Sequence, residues 1–326
     1  MVTPEYKAGL SIIILTKDTK DLVKELLGSI EKDLSIKPSL NEIVLVDNGS
    51  KDGTDRLVRD SFAGVKYIRN DSNLGFARAA NQGIDHCSSE FLLLLNSDTS
   101  LIEGEIKRML EFMMKNKDVA IVGPQLCYPD LIAQRSFALV PSLLLEVLPR
   151  AIFEYALLRG KPSPSKKGTP HETRPYDVPS IIGAAMMLRR EVIQALGGLD
   201  ERFFFFLEET DLCVRAKEMG YRVVLYPETR VIHHQGGTVR KDWIKGRIEY
   251  NISLYKFINK HHNALYYMAF ILVRLMKSIV TLLIYPLLPL LFFKERQRRQ
   301  YILYLHLLLW HIKGCPDDAG LKGINH

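Results

Sequence analysis

Four short apolar runs, each closing on a cluster of polar residues, constrain this chain more than any other feature. They cover residues 10–15 (interrupted by Ser11), 43–46, 65–68 and 91–95. Apolar runs that do not alternate with polar residues suit strands buried on both faces. The stretches between them, 21–30 and 75–84, carry helical spacing. Strands alternating with helices predict βαβ units, hence an α/β chain with a mostly parallel central sheet and flanking helices. The polar closings are Thr16, Asp47-Asn48-Gly49-Ser50, residues 70–73, and Asn96-Ser97-Asp98-Thr99. Ligands of open α/β sheets bind beyond the carboxyl ends of strands, so these closings point to one crevice.

Downstream, residues 138–176 read as an irregular insert beside the acceptor side of that crevice, and 161–170 as a loop. Order returns at 178–189, a strand with close backbone approach at Gly183. Residues 191–196 form a short helix stopped by Gly197-Gly198, and 211–219 a second one closed by Gly220. Residues 222–226 and 229–233 read as two short strands, and 242–260 as an amphipathic helix. The expected division is a catalytic domain over 1–240 and a basic, apolar helical region over 241–326.

Charge supports that division. Residues 240–326 hold 14 Lys and Arg against 5 Asp and Glu, a net of +9, whereas the whole chain is only +7. The same quarter holds the apolar stretch 264–293, in which only Arg274 and Lys277 are charged. A spanning helix needs about 20 apolar residues. Arg274 divides the stretch, and Pro286 and Pro289 interrupt its second part. An in-plane or re-entrant hairpin on an anionic membrane surface is therefore expected, with Tyr301, Tyr304 and Trp310 at the interface. No nucleic-acid motif accompanies the positive charge. The four cysteines are widely spaced, which suits a reducing compartment, and the polar residues 1–9 predict no secretory leader.

Two patches carry the chemistry. Residues 91–99 deliver Asp98 at a strand end, and residues 203–213 deliver Glu208, Glu209 and Asp211 within four positions. Asn96-Ser97-Asp98 has the spacing of a metal-binding Asp-x-Asp with Asn in first place. One Asp suffices for Mg²⁺ or Mn²⁺ when a diphosphate completes the shell. His233, or its neighbour His234, is the candidate second ligand, and a histidine leans towards Mn²⁺. Asp47 can accept an imide N–H from a pyrimidine base, or simply organise a turn. Arg78 and Asn81 lie one helical turn apart, placed for a diphosphate or for surface packing. Glu208, Glu209 and Asp211 suit a helix N-terminus, where the dipole favours acids, and also a general base crowded towards neutrality.

The ordered set of segments 11–16, 47–54, 73–83, 92–99, 183–190, 197–212 and 231–238 resembles family 2 glycosyltransferases of the GT-A fold, most of all bacterial rhamnosyltransferase-type members. The resemblance implies that Thr16 and Asp47, with Asn48, hold a nucleoside, and that Arg78, Asn81, Asn96 and Ser97 lie along the ribose and diphosphate. It implies that Asp98 and His233 bind Mn²⁺ or Mg²⁺, and that Glu209 is the base, flanked by Glu208 and Asp211. Asn96 and Glu209 both depart from the family's usual Asp. The implied reaction is inverting transfer from a nucleoside-diphosphate sugar, dTDP-rhamnose first, to a glycan or polyprenyl-linked acceptor of surface polysaccharide. The implied place is the cytoplasmic face of the membrane, with apolar helices that could also pair two copies. A sugar nucleotidyltransferase or a dinucleotide dehydrogenase would need a glycine-rich loop where residues 16–20 read Thr-Lys-Asp-Thr-Lys. An inactive membrane scaffold remains the non-enzymatic rival.

Overall fold

Each of the four apolar runs is a strand in the computed structural model, which describes residues 7–148, 152, 174–235, 242–284 and 295–324. The chain divides into two compact units. One comprises Met1–Val140, Glu154–Arg202 and Glu208–Thr238, and the other Pro141–Phe153, Phe203–Leu207 and Val239–His326. The expected loop at 161–170 and residues 285–293 lie outside the described residues.

The first unit opens as β1 (Lys7–Thr16), α1 (Lys20–Lys32), β2 (Leu40–Asp47), α2 (Thr54–Ser61), β3 (Val65–Arg69), α3 (Phe76–Asp85) and β4 (Ser89–Asn96). It continues through β5 (Thr99–Leu101), α4 (Glu105–Lys115), β6 (Val119–Cys127) and β7 (Phe137–Ala138). After α5 (Leu143–Val147), which belongs to the second unit, come β8 (Tyr176–Asp177), β9 (Ser180–Ile181), β10 (Ala185–Arg189), α6 (Arg190–Ala195), α7 (Glu208–Glu218) and β11 (Arg222–His233).

The main sheet runs β3-β2-β1-β4-β10-β6-β11-β5, with β8 also on β11. Strands β1 to β4, β6 and β11 share one direction, while β5, β8 and β10 oppose them. Leu10, Ile12, Ile13 and Ile14 of β1 and Leu92, Leu93 and Leu95 of β4 have no exposed surface, as runs without polar alternation require. Helix α3 lies close on this sheet because its inner face is Ala77, Ala80 and Gly83. A Cβ on Gly83 would stand 2.4 Å from Ile13 Cγ2, so any side chain there would force the layers apart.

Three elements differ from the sequence expectation. The strand expected over 178–189 is two strands, broken by a turn at Gly183-Ala184. The two strands expected over 222–233 are one, irregular between Tyr226 and Arg230, where Pro227 offers no N–H to the ladder. Helix α7 begins at Glu208, so all three acidic residues of the patch lie in its first turn.

The second unit contains α5, α8 (Trp243–His261), α9 (Ala264–Ile284), α10 (Glu295–Ile312) and a 3-10 turn, Leu321–Ile324. Its interior gathers Tyr255, Phe257, Phe270 and Trp310, all buried. Trp310 is therefore a core residue and not the interfacial anchor expected; its indole N–H donates to the Pro316 carbonyl at 3.0 Å. Nor does Arg274 interrupt the apolar stretch, because α9 passes through it unbroken for 21 residues. The short segment Phe203–Leu207 completes this unit. Phe206 and Leu207 both take left-handed backbone, φ 73° and 67°, directly before Glu208. Ser253 donates to the Phe205 carbonyl at 2.8 Å, and the Phe206 ring stands edge-on to Tyr250.

Candidate active site

The register of the sheet determines which residues meet. Asn96 closes β4, and its N–H donates to the Ala184 carbonyl at 2.9 Å, because β10 runs antiparallel along β4. The neighbouring Gly183 touches Glu209: a Cβ there would lie 3.6 Å from the Glu209 Cβ and Cγ. On the other side β5 pairs with β11, setting Thr99 opposite His233. One end of β4 thus receives Asp98, His233 and Glu209 from three separate parts of the chain.

Asp98 and His233 face one another, with His233 Nε2 3.5 Å from Asp98 Oδ1 and both side chains largely buried. A residue that sequence reasoning missed orients the imidazole. The buried Gln134 accepts from His233 Nδ1–H at 3.0 Å and donates through its own amide to the His233 carbonyl at 2.6 Å. Gln235 also donates to Gln134 Oε1, at 3.1 Å. Flipping the Gln134 amide would set donor against donor and acceptor against acceptor, so its orientation is fixed. Nδ1 therefore carries a hydrogen, and Nε2 is the ring nitrogen turned towards Asp98; metal-binding histidines are commonly oriented by such a hydrogen bond from the other nitrogen. Gln134 carried no sequence signal, since it lies 99 positions from His233 on a loop between strands.

The two histidines make different contacts. His234 Nε2 lies 3.0 Å from Glu25 Oε1 and 3.0 Å from Ser100 Oγ. Only the His234 main chain meets Asp98, its N–H donating to the Asp98 carbonyl at 2.8 Å.

A hydroxyl chain runs beside Asp98. Thr16 and Thr19 share a hydrogen bond of 2.8 Å, and Thr19 shares another of 2.7 Å with Ser97. The Asp47 carboxylate is directed inward, with no exposed surface. One oxygen accepts from the Ser50 N–H at 2.8 Å, and the other accepts from the Tyr67 hydroxyl. Burial, reinforced by that carboxylate, pushes the Tyr67 phenol well above its usual range. Asp47 is thus the organiser of the turn. The adjacent Asn48 is held by Asn70 and by the Gly75 carbonyl.

Two further expected residues meet a loop. Asn81 accepts from the Leu199 N–H and donates to the Leu199 carbonyl, both at 2.9 Å. Gly198 makes that clamp possible, since its φ is +77° and a Cβ would stand 2.5 Å from Asn81 Oδ1. Arg78 is exposed, its Nε 4.0 Å from Glu201. Asp211 has no exposed surface and holds Arg215 at 2.7 Å, while Arg215 caps the carbonyls of Leu196 and Gly198. Asp211 is therefore a framework residue of this loop, whereas Glu209 keeps partial exposure beside Gly183. Asp211, Arg215 and Asn81 hold the double-glycine turn from two sides.

Among the described residues, no group of three or more His, Cys, Asp and Glu side chains forms a metal cage. Asp98 and His233 offer one carboxylate and one imidazole. That set suits Mn²⁺ or Mg²⁺ only when substrate oxygens and water complete the shell.

Comparison with known proteins adds three findings. A family model described as Glycosyl transferase family 2 matches residues 11–197, and one described as Glycosyl transferase family group 2 matches residues 169–313. The N-acetylglucosaminyl-diphospho-decaprenol L-rhamnosyltransferase of Mycobacterium tuberculosis is 25% identical over 240 residues, covering 68% of this chain and 75% of that protein. The low-salt glycan biosynthesis hexosyltransferase Agl10 of Haloferax volcanii is 26% identical over 230 residues, 69% of this chain and 67% of that one. Among solved structures, a mannosyltransferase from Pyrobaculum calidifontis in complex with GDP-Man and Mn²⁺ superposes with a TM-score of 0.59 at 15% identity, over 95% of this chain and 88% of the other.

Proposed function

The chain belongs to glycosyl transferase family 2 and is a glycosyltransferase of GT-A fold, and on that premise we propose that it moves a hexose from a nucleoside-diphosphate sugar to a hydroxyl of a lipid-linked glycan, inverting the anomeric carbon. The leading donor is dTDP-rhamnose, supported by the rhamnosyltransferase among its relatives. The acceptor belongs to cell-surface polysaccharide, and the work is done at the cytoplasmic face of the membrane.

The observation that carries this reading is the meeting of Asp98, His233 and Glu209 at the end of β4. Asp98 and His233 Nε2 would hold a divalent ion, Mn²⁺ before Mg²⁺. When bound, that ion would offset charge on the departing diphosphate, a contribution of several kcal/mol in comparable sites. Thr16, Thr19 and Ser97 present hydroxyls to the nucleoside side, and Asn48 stands at the end of β2 where a base would rest. Asp47 acts there by shaping the turn, Asn96 closes the strand beside the sugar, and exposed Arg78 would turn from Glu201 towards phosphate oxygens. Glu209 takes the acceptor proton as its oxygen attacks the anomeric carbon from the face opposite the diphosphate. Glu208, buried one residue earlier, supports the same helix turn.

The test is diphosphate release from a panel of nucleotide sugars with Mn²⁺ or Mg²⁺ and a polyprenyl-linked acceptor. Release from one donor, abolished by EDTA and by Glu209→Gln, is the expected result. A wild type that binds nucleotide yet releases nothing from any donor would favour the scaffold reading.

A further inference from the structure

We propose that α9 lies along the surface of an anionic bilayer, sunk on one apolar stripe and joined by α5, and does not cross it. This deepens the membrane attachment proposed above and rests on it. By length and composition α9 could cross. Its two sides, however, are unlike. Leu265, Met268, Leu272, Met276, Val280 and Leu283 are all exposed, at spacings of three and four residues. They form one continuous face, about 27 Å long at the usual helical rise.

The opposite face is held by protein. Phe270 and Ser278 are buried. Arg274 Nη1 lies 2.6 Å from Glu146 Oε1, and its Nη2 donates to Asn251 of α8. Lys277 Nζ lies 3.2 Å from Glu146 Oε2. Helix α8 also carries Lys245, Arg247, Glu249, Lys256 and Lys260. A crossing α9 would draw these charges into hydrocarbon or lose the contact with Asn251. An in-plane α9 keeps every one of these contacts and still buries the stripe.

Helix α5 is part of the same surface. Its Glu146 neutralises the cations of α9, its Leu143 N–H donates to the Tyr266 hydroxyl at 2.7 Å, and Leu144 and Val147 are exposed beside it. Helix α10 repeats the pattern with Ile302, Leu305, Leu309 and Ile312 exposed. The occupant is lipid because the stripes are purely aliphatic or thioether while the surrounding sequence is strongly basic, net +9 over residues 240–326. That combination complements anionic headgroups over acyl chains.

The experiment uses the full chain carrying Cys315→Ser, since the other three cysteines are buried. Nitroxides are placed singly at Leu265, Leu272 and Leu283, and the protein is floated with vesicles of phosphatidylcholine and phosphatidylglycerol. Oxygen and a water-soluble nickel chelate then report the depth of each label. The expected result is flotation with equal, shallow depth at all three positions, and Leu272→Asp weakening vesicle binding about tenfold or more. Flotation with Leu272 much deeper than the two ends would overturn the in-plane placement while leaving attachment intact. Labels shielded from both reagents would assign the stripe to a second copy and overturn it as well. Failure to float would remove both the placement and the attachment.

Discussion

Asp47 and Asp98 close two strands of one sheet, separated only by β1, yet they have opposite fates. Asp47 has no exposed surface and gives its oxygens to Ser50 and Tyr67. Asp98 directs an oxygen at the imidazole Nε2 of His233, whose ring Gln134 holds in place. A strand followed by Asp is thus an ambiguous signal. What decides is the neighbour: β3 supplies a phenol to the first, and β11 supplies a histidine to the second.

Substitutions can break this contrast. Asp98→Ala is expected to lower kcat by about 10²–10³-fold, the usual cost of removing one electrostatic group from a reacting centre, with little change in melting temperature. Asp47→Ala should do the reverse. It leaves the Ser50 N–H and the Tyr67 hydroxyl without their acceptor and costs about 1–3 kcal/mol of stability, read by urea unfolding. If both variants lose activity equally and stability not at all, the contrast is wrong.

The Asp98 side can be sharpened next. Gln134→Leu should weaken Mn²⁺ binding by about 10–100-fold, measured from the paramagnetic resonance signal of free ion. His233→Ala should weaken it further, whereas His234→Ala, whose ring serves Glu25 and Ser100, should leave it nearly unchanged. Equal losses in the two histidine variants would undo the assignment of roles.

The smallest effect tests the Asp47 side. The Tyr67 phenol is raised by burial and then by Asp47. A raised acid keeps its proton in the folded state after the unfolded chain has released it. Its stabilising contribution is therefore complete below pH 10, the ordinary value, and is lost as pH climbs towards the raised one. Tyr67→Phe should flatten the alkaline fall in stability relative to wild type. An unchanged slope would show that Tyr67 is not the group responsible.

The fold was largely legible. Runs such as 10–15 and 91–95 have no use except in a sheet covered on both faces, and their residues are buried there. The framework of the site was less so. Asn81 and Asp211 have side chains fit for ligands, but Asn81 is engaged by Leu199, a partner 118 residues away that spacing does not reveal, and Asp211 by Arg215 one turn along its own helix. Gln134 was invisible for the same reason. In α9, Arg274 read as an interruption because sequence does not display Glu146 and Asn251, which satisfy it from outside the helix.

The chain passes from the second unit to the first at Leu207–Glu208, directly after two side-chain-bearing residues in left-handed backbone. Such residues ordinarily cost about 1–3 kcal/mol each and persist only where their surroundings insist. Here Ser253 and Tyr250 are among those that insist. In gene-engineering terms, the helical region is therefore no detachable cassette. A chimera that exchanges residues after 240 must exchange 203–207 with them, or the peptide leading into Glu208 and Glu209 is left to relax into a different course.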